Sequence, residues 1–266
     1  MTPAADNPVL VVGAGPGDPE LITVAGQKAL AAAGLIVYAG SLVNPALLRA
    51  APEQCRLVDS AGLDLEQIVE AMVEGHRQGL KVVRLHTGDP SLYGAICEQL
   101  DALDSRGVPW RIIPGVSAAF AAAAALGVEY TLPEVCQSLI LTRAAGRTPV
   151  PAGEDLAALA AHGASLAVYL SASQAHKVSQ ALQQAYGPEA PVCVAYRVSW
   201  PGQRLVWTTA RDLPADLERA GIDRHALILA GPGPATAAPG GGGPRAKSRL
   251  YDRGFSHGHR RAAEEA

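Results

Sequence analysis

Two Gly/Pro loops hold the residues best placed for chemistry, Gly13-Ala-Gly-Pro-Gly-Asp-Pro19 and Thr87-Gly-Asp-Pro-Ser-Leu-Tyr-Gly94. Each stands where an apolar run ends and a helical pattern begins: Val9-Leu-Val-Val12 precedes the first and Lys81-Val-Val-Arg-Leu85 the second. Loops of this kind emerge at the carboxyl ends of parallel strands, where α/β sheets bind ligands. Glycine lets the main chain approach a bound molecule closely, proline fixes the turn, and free N–H groups at a helix start can donate to a carboxylate. The chemistry expected is recognition of a small molecule, largely by backbone.

The first loop invites comparison with a dinucleotide fingerprint, and the residues argue against it. The third glycine should stand three positions after Gly15, where the chain has Asp18, and Pro16 and Pro19 stiffen the turn against wrapping a pyrophosphate. The next apolar run, Leu35-Ile-Val-Tyr38, ends in Ala39-Gly40-Ser41, with no carboxylate for a ribose hydroxyl.

Other chemistry-bearing residue types are sparse. Cys55, Cys97, Cys136 and Cys193 lie far apart, without a C-x-x-C pair or a histidine at ligand spacing, and read as buried thiols rather than a metal site. His86 stands just ahead of the second loop, where it either faces the ligand or serves as a structural donor. A formal net charge of −3 gives no general attraction to nucleic acid, so an anionic ligand must be met by a local patch.

The elements that position these loops follow from the hydrophobic pattern. The 266 residues are 48% hydrophobic but only 5% aromatic, so the core is built from Ala, Val, Leu and Ile, as buried parallel strands favour. Strands are expected at Val9–Val12, Leu35–Tyr38, Arg56–Val58, Val82–Leu85 and Trp110–Ile113, with helices near Leu21–Ala33, Leu65–Gln78, Leu92–Ser105 and Val116–Leu126. This predicts an open, mostly parallel sheet. After Thr131-Leu-Pro-Glu134 come strands at Ser138–Thr142, Ser165–Leu170, Val192–Val198, Arg204–Thr208 and Ala226–Ala230, with helices at Leu156–Ala161, Gln174–Tyr186 and Leu213–Ala220. The Pro201-Gly202 turn predicts a hairpin, and hence a mixed second sheet. No apolar run reaches membrane-spanning length, and Met1 to Pro8 has no basic start or apolar stretch of a signal peptide, so a soluble cytoplasmic protein is expected.

These patterns divide the chain into an N-terminal α/β domain over residues 1–130, a C-terminal α/β domain with a mixed sheet over 131–231 and a flexible tail over 232–266. The tail is rich in Gly and Pro, including Gly240-Gly-Gly-Gly243, and has little to bury. Beyond it, Ser248 to His259 carries two aromatics and two histidines and either docks on a surface or stays solvated; His257 and His259 make no metal pair by themselves.

Four segments, in this order and at these spacings, resemble the tetrapyrrole methylases that use S-adenosylmethionine: Gly13 to Pro19, Gly88-Asp-Pro-x-x-Tyr-Gly94, Ile113-Pro-Gly-Val-Ser-Ala118 and Val168-Tyr-Leu-Ser-Ala-Ser173. The likeness spans about Pro8 to Gly231. Within the family, Tyr38-Ala-Gly-Ser-Leu-Val-Asn-Pro45, Ser248 to Asp252 and Phe255 to Gly258 are similar to the cobalamin-pathway precorrin-4 or cobalt-precorrin-4 C-11 methyltransferases.

The resemblance implies a fold of two α/β domains with the cofactor in the cleft between them. It assigns S-adenosylmethionine to Pro16, to Thr87, Gly88, Asp89 and Leu92, to Ser117 and Ala118, and to Leu170 and Ala195 from the second domain. The macrocyclic substrate carries many carboxylate arms, for which Arg143, Arg147 and Arg197, near the ends of second-domain strands, are the candidates. A homodimer is also implied, with no metal held by the protein. Related uroporphyrinogen-III methyltransferases carry Asp-Arg after the tyrosine equivalent to Tyr38; Ala39 and Gly40 stand there, so no acid/base role transfers and the catalytic residues stay unassigned. The alternatives are methylation at another position of a precorrin, or a non-catalytic module that only binds S-adenosylmethionine.

Overall fold

A computed structural model describes residues 7–241 and 248–262. By its contacts the chain forms two compact units, Met1–Ala121 with Val198–Gly202, and Ala122–Arg197 with Gln203–Ala266. The sequence boundary after residue 130 thus falls nine positions later than the first break, and the sequence pattern gives no sign that Val198–Gly202 groups with the first unit.

In the first unit the order is β1 (Val9–Gly13), α1 (Val24–Ala31), β2 (Leu35–Tyr38), α2 (Pro45–Leu48), β3 (Arg56–Asp59), α3 (Leu65–Arg77), β4 (Val82–His86), α4 (Cys97–Asp104), β5 (Trp110–Ile113) and α5 (Ala118–Leu126), the last running on into the second unit. Helix starts are set by local chemistry. The Thr23 hydroxyl caps α1 by accepting from Gly26 N at 3.1 Å, and Asp64 and Gln67 make a reciprocal capping box on α3. The five strands are all parallel, in the order β3-β2-β4-β1-β5.

Period-two alternation sends side chains to both faces of this sheet. Val12, Ile36, Val83 and Leu85 pack with Leu30 and Leu47 on one face, and Val9, Leu35, Val37 and Val82 with Val69, Met72 and Leu103 on the other. Helices therefore cover both sides, and the strands read as continuous apolar runs. The helix expected over Leu92–Ser105 begins only at Cys97. Tyr93 (φ 56°) and Ala95 (φ 48°) are left-handed, which breaks the helical hydrogen-bond ladder before it starts.

The second unit contains β6 (Leu139–Arg143), α6 (Leu156–Ala160), β7 (Ser165–Tyr169), α7 (Ala175–Tyr186), β8 (Pro191–Tyr196), β9 (Arg204–Thr209), α8 (Leu213–Ala220), β10 (Ala226–Ala230) and α9 (Pro232–Ala235). Its sheet is mixed as expected: β6 and β7 are parallel, β10 runs antiparallel to β7 and β8, and β8–β9 is the hairpin. Leu166, Val168, Val192, Val194 and Ile228 pack beneath Val178, Leu182, Leu213 and Leu217.

The segment from residue 232 departs from its expected flexibility at its start. Pro232–Ala235 is a helical turn with Gly233 and Pro234 buried, and Gly233 N donates to the Ser165 hydroxyl at 3.1 Å. Small residues here replace side-chain burial by backbone packing: a Cβ on Gly233 would stand 2.8 Å from Tyr130 Cα. Farther on, Arg249 pairs with Glu134 at 3.4 Å, and Arg260 donates to the carbonyls of Leu250, Asp252 and Phe255. The stretch 242–247, with most of the glycine run, and residues 1–6 and 263–266 lie outside the described residues. Among the described residues no helix is long and apolar enough to cross a membrane.

Candidate functional site

The strand order makes β4, β1 and β5 neighbours, so the loops that leave their carboxyl ends lie side by side. Their backbones are tied together. Ala14 N donates to His86 O at 2.6 Å, and Gly15 and Gly88 exchange N–H···O bonds at 3.2 and 2.8 Å. Asp89 closes the third side by accepting from Gly115 N at 2.8 Å. The approach is so close that a Cβ on Gly115 would stand 2.1 Å from Gly88 O, and one on Gly13 2.6 Å from Gly115 Cα.

Asp89 also accepts from Ser91 N at 2.8 Å and from the Ser91 hydroxyl at 2.5 Å. Burial pushes its carboxyl up, but the bonds from Ser91 and Gly115 outweigh burial and hold it below the usual carboxylate value. The carboxylate thus works as a backbone tie. Around it, Thr87 is exposed, Leu92 is half-buried in a turn closed on Asp89 O, and Ser117 is buried immediately before α5.

Pro16 and Gly17 are buried, and side chains distant in sequence hold this part of the first loop. Trp200 donates from Nε1 to Pro16 O at 3.0 Å, Asp18 N donates to the Ser199 hydroxyl at 3.0 Å, and Asn44 Nδ2 donates to Gly17 O at 2.8 Å. Asn44 also caps α2 through Ala46 N. Sequence reasoning missed Trp200 and Ser199; the only available signal was a tryptophan in a Pro-Gly turn, where solvent exposure of so large a ring is unusual.

Beneath the second loop two buried polar residues point from the same face of β4. Arg84, 5% exposed, donates from Nε to Gln99 Oε1 at 2.9 Å and from Nη1 to Val37 O at 3.2 Å. Burial lowers its pKa to about 10. His86 is equally buried, and its Nε2 has no partner among the described residues. Burial, then the Arg84 charge, pushes the imidazole down to about 3, so it is neutral at physiological pH. It is the His86 carbonyl, not the ring, that ties the first loop, through Ala14 N.

In the second unit Leu170 follows β7 in a left-handed conformation (φ 52°) and is 67% exposed, while Ala195 is buried near the end of β8. Arg143 and Arg147 line a cavity of about 530 Å³ together with Leu170, Gln174 and Lys177. Arg143 is not an open fork: its guanidinium donates to Thr148 O at 3.1 Å, Pro149 O at 2.7 Å and Ala144 O at 3.4 Å, closing the loop that follows β6. Arg197 stands apart from that lining, with a left-handed backbone (φ 45°) whose N–H bonds His225 O at 2.8 Å. Of the cysteines, Cys136 and Cys193 are buried, Cys55 is partly buried, and Cys97 is exposed, contrary to its expected burial, because it opens α4.

The first unit's loops thus offer a tightly tied backbone cradle of the kind that receives a small molecule. Comparison with known proteins shows the family. Residues 8–214 match the model of the Tetrapyrrole (Corrin/Porphyrin) Methylases. The chain is 46% identical over 257 residues to a cobalt-precorrin-4 C(11)-methyltransferase of Methanocaldococcus jannaschii, covering 96% of each chain. It is 50% identical over 223 residues to a precorrin-4 C(11)-methyltransferase of Pseudomonas aeruginosa, covering 84% of this chain and 89% of the relative. The X-ray structure of a cobalamin biosynthetic enzyme, cobalt precorrin-4 methyltransferase, superposes with a TM-score of 0.81 at 44% identity, covering 84% of this chain and 94% of that one.

Proposed function

The chain belongs to the tetrapyrrole methylases, and on that premise we propose that it methylates precorrin-4 or cobalt-precorrin-4 at C-11 in cobalamin biosynthesis. S-adenosylmethionine is the methyl donor of this family, and its sulfonium supplies an already activated methyl group. The protein's work is then to hold and align rather than to ionise the donor. Positioning of this kind can supply on the order of 7 to 11 kcal/mol of a barrier without a strong catalytic acid.

The observation that carries the reading is the three-loop cradle. Thr87, Gly88, Asp89, Leu92, Ser117 and Ala118 belong to or flank its second and third loops, and Pro16 is fixed at the first by Trp200. The carboxylate of the donor suits the start of α5, where the helix dipole favours an anion. Leu170 and Ala195 complete the set by family likeness. On the substrate side, Arg147 and Arg197 are offered to carboxylates, and Arg143 acts through the loop it closes. Assembly as a homodimer is expected by the same likeness.

The cofactor half is tested by isothermal titration of the purified protein with S-adenosylhomocysteine, with NAD as control. Micromolar binding of the first and none of the second supports the reading. The reverse would make the glycine loop a dinucleotide site.

A further inference from the structure

We propose that Arg147 and Lys177 form a subsite for the carboxylate arms of the substrate macrocycle, on the rim of the cavity in the second unit; this rests on the methyltransferase reading above. Lys177 carries no signal in the sequence, since it is one cation in a polar helix. The fold gives it a neighbourhood.

Three cations, Arg143, Arg147 and Lys177, line the cavity of about 530 Å³, and its lining contains no Asp or Glu. Among the described residues none of the three has a salt bridge. Lys177 also stands in the first turn of α7, a helix of 12 residues with no acidic residue in that turn. A cation there opposes the helix dipole, which favours negative charge at that end. Like charges gathered without counter-charge are unfavourable in the empty protein and favourable once an anion enters.

The wall that carries them is built rather than loose. Besides the Arg143 clamp, the buried Ser171 hydroxyl accepts from Ala144 N at 2.8 Å and donates to Tyr169 O at 2.6 Å. Gly146 lies against the side chain of Gln174, the residue just before α7. Lys177 reaches back to Ala145 O at 3.3 Å, a bond that engages one of its three ammonium protons. Arg147 is exposed at the loop's outer edge. A fixed backbone thus presents one guanidinium and one ammonium, a pair that suits flexible carboxylate arms on a macrocycle edge.

The test pairs turnover with direct binding, using the full chain and its Lys177→Ala and Arg147→Ala variants. Methyl transfer to precorrin-4 should show KM raised about tenfold by either change with kcat within about twofold, and Lys177→Arg should recover most of the loss. Affinity for S-adenosylhomocysteine should not move. Uroporphyrin III, a stable macrocycle with carboxylate arms, should bind the unaltered protein and bind each variant about tenfold more weakly, while its methyl ester should discriminate none of them. If porphyrin affinity falls in the variants but the unaltered protein transfers no methyl group, the subsite stands and the assigned reaction falls. If methyl transfer proceeds in both variants at unchanged KM, the reaction stands and the subsite is overturned.

Discussion

Asp89 accepts the backbone N–H of Gly115 at 2.8 Å, joining the loop after β4 to the loop after β5 across the end of the strand between them. The carboxylate is therefore a structural member of the cradle and not a free acid. Asp89→Ala would leave that amide and the Ser91 donors unpaired. It should weaken S-adenosylhomocysteine binding about tenfold in a calorimetric titration while lowering thermal stability only slightly. An unchanged titration would remove Asp89 from the site.

Gly115→Ala tests the cradle's closeness. The added Cβ would meet Gly88 O at 2.1 Å, backbone against backbone, so one loop must move. Cofactor binding should be lost by titration. Gly62→Ala, where nothing stands within 4 Å, should leave binding and melting temperature unaltered.

His86 links stability to pH. Its folded pKa is lowered to about 3 from an ordinary 6.5, so below 6.5 the unfolded chain takes up a proton that the folded chain refuses. This contribution is fully present above 6.5 and is lost as pH falls from there toward 3, at up to about 1.4 kcal/mol per pH unit. Replacing His86 by Asn should flatten the decline between pH 7 and pH 5 in denaturant titrations, whatever it does to stability at pH 7. An equally steep decline would show that the imidazole is already charged or solvated in the fold.

Arg84 and Gln99 make a coupled pair. Gln99→Leu removes the Oε1 acceptor from a buried guanidinium and should cost about 2 kcal/mol. Arg84→Met with Gln99→Leu removes both partners and should be milder than Gln99→Leu alone. Urea unfolding of the three variants checks the order, and additive losses would deny the coupling.

Much of the fold is legible in the chain because the strands are buried on both faces and read as apolar runs. All ten strands among the described residues stand close to their expected positions, and the Pro201-Gly202 turn announces the hairpin. What escapes is chemistry between distant positions. Trp200 and Pro16 lie 184 residues apart, and no local pattern joins them. The late start of α4 depends on left-handed Tyr93 and Ala95, residues with no intrinsic preference for that conformation. Pro232–Ala235 is ordered by backbone contact with Ser165 and Tyr130, which composition cannot register.

The site shows the same division. Loop chemistry marks Gly88 and Asp89 as turn residues, and both stand in the bonds that tie the loops together, whereas the sequence offers Arg143 only as a candidate for carboxylates. Only the fold reveals that its donors are turned onto Thr148 and Pro149, and that Lys177 lines the same cavity. Side-chain direction, unlike strand position, is set by partners that the sequence does not order.

Methyl transfer to C-11 of precorrin-4 or cobalt-precorrin-4 can be read directly. The direct measurement incubates the purified protein with each macrocycle and S-adenosylmethionine labelled with carbon-13 in its methyl group, then reads product mass and carbon-13 NMR. A gain of one labelled methyl group, placed at C-11, with release of S-adenosylhomocysteine is the expected result. Labelling at another carbon, or cofactor binding with no gain in mass for either macrocycle, would contradict it.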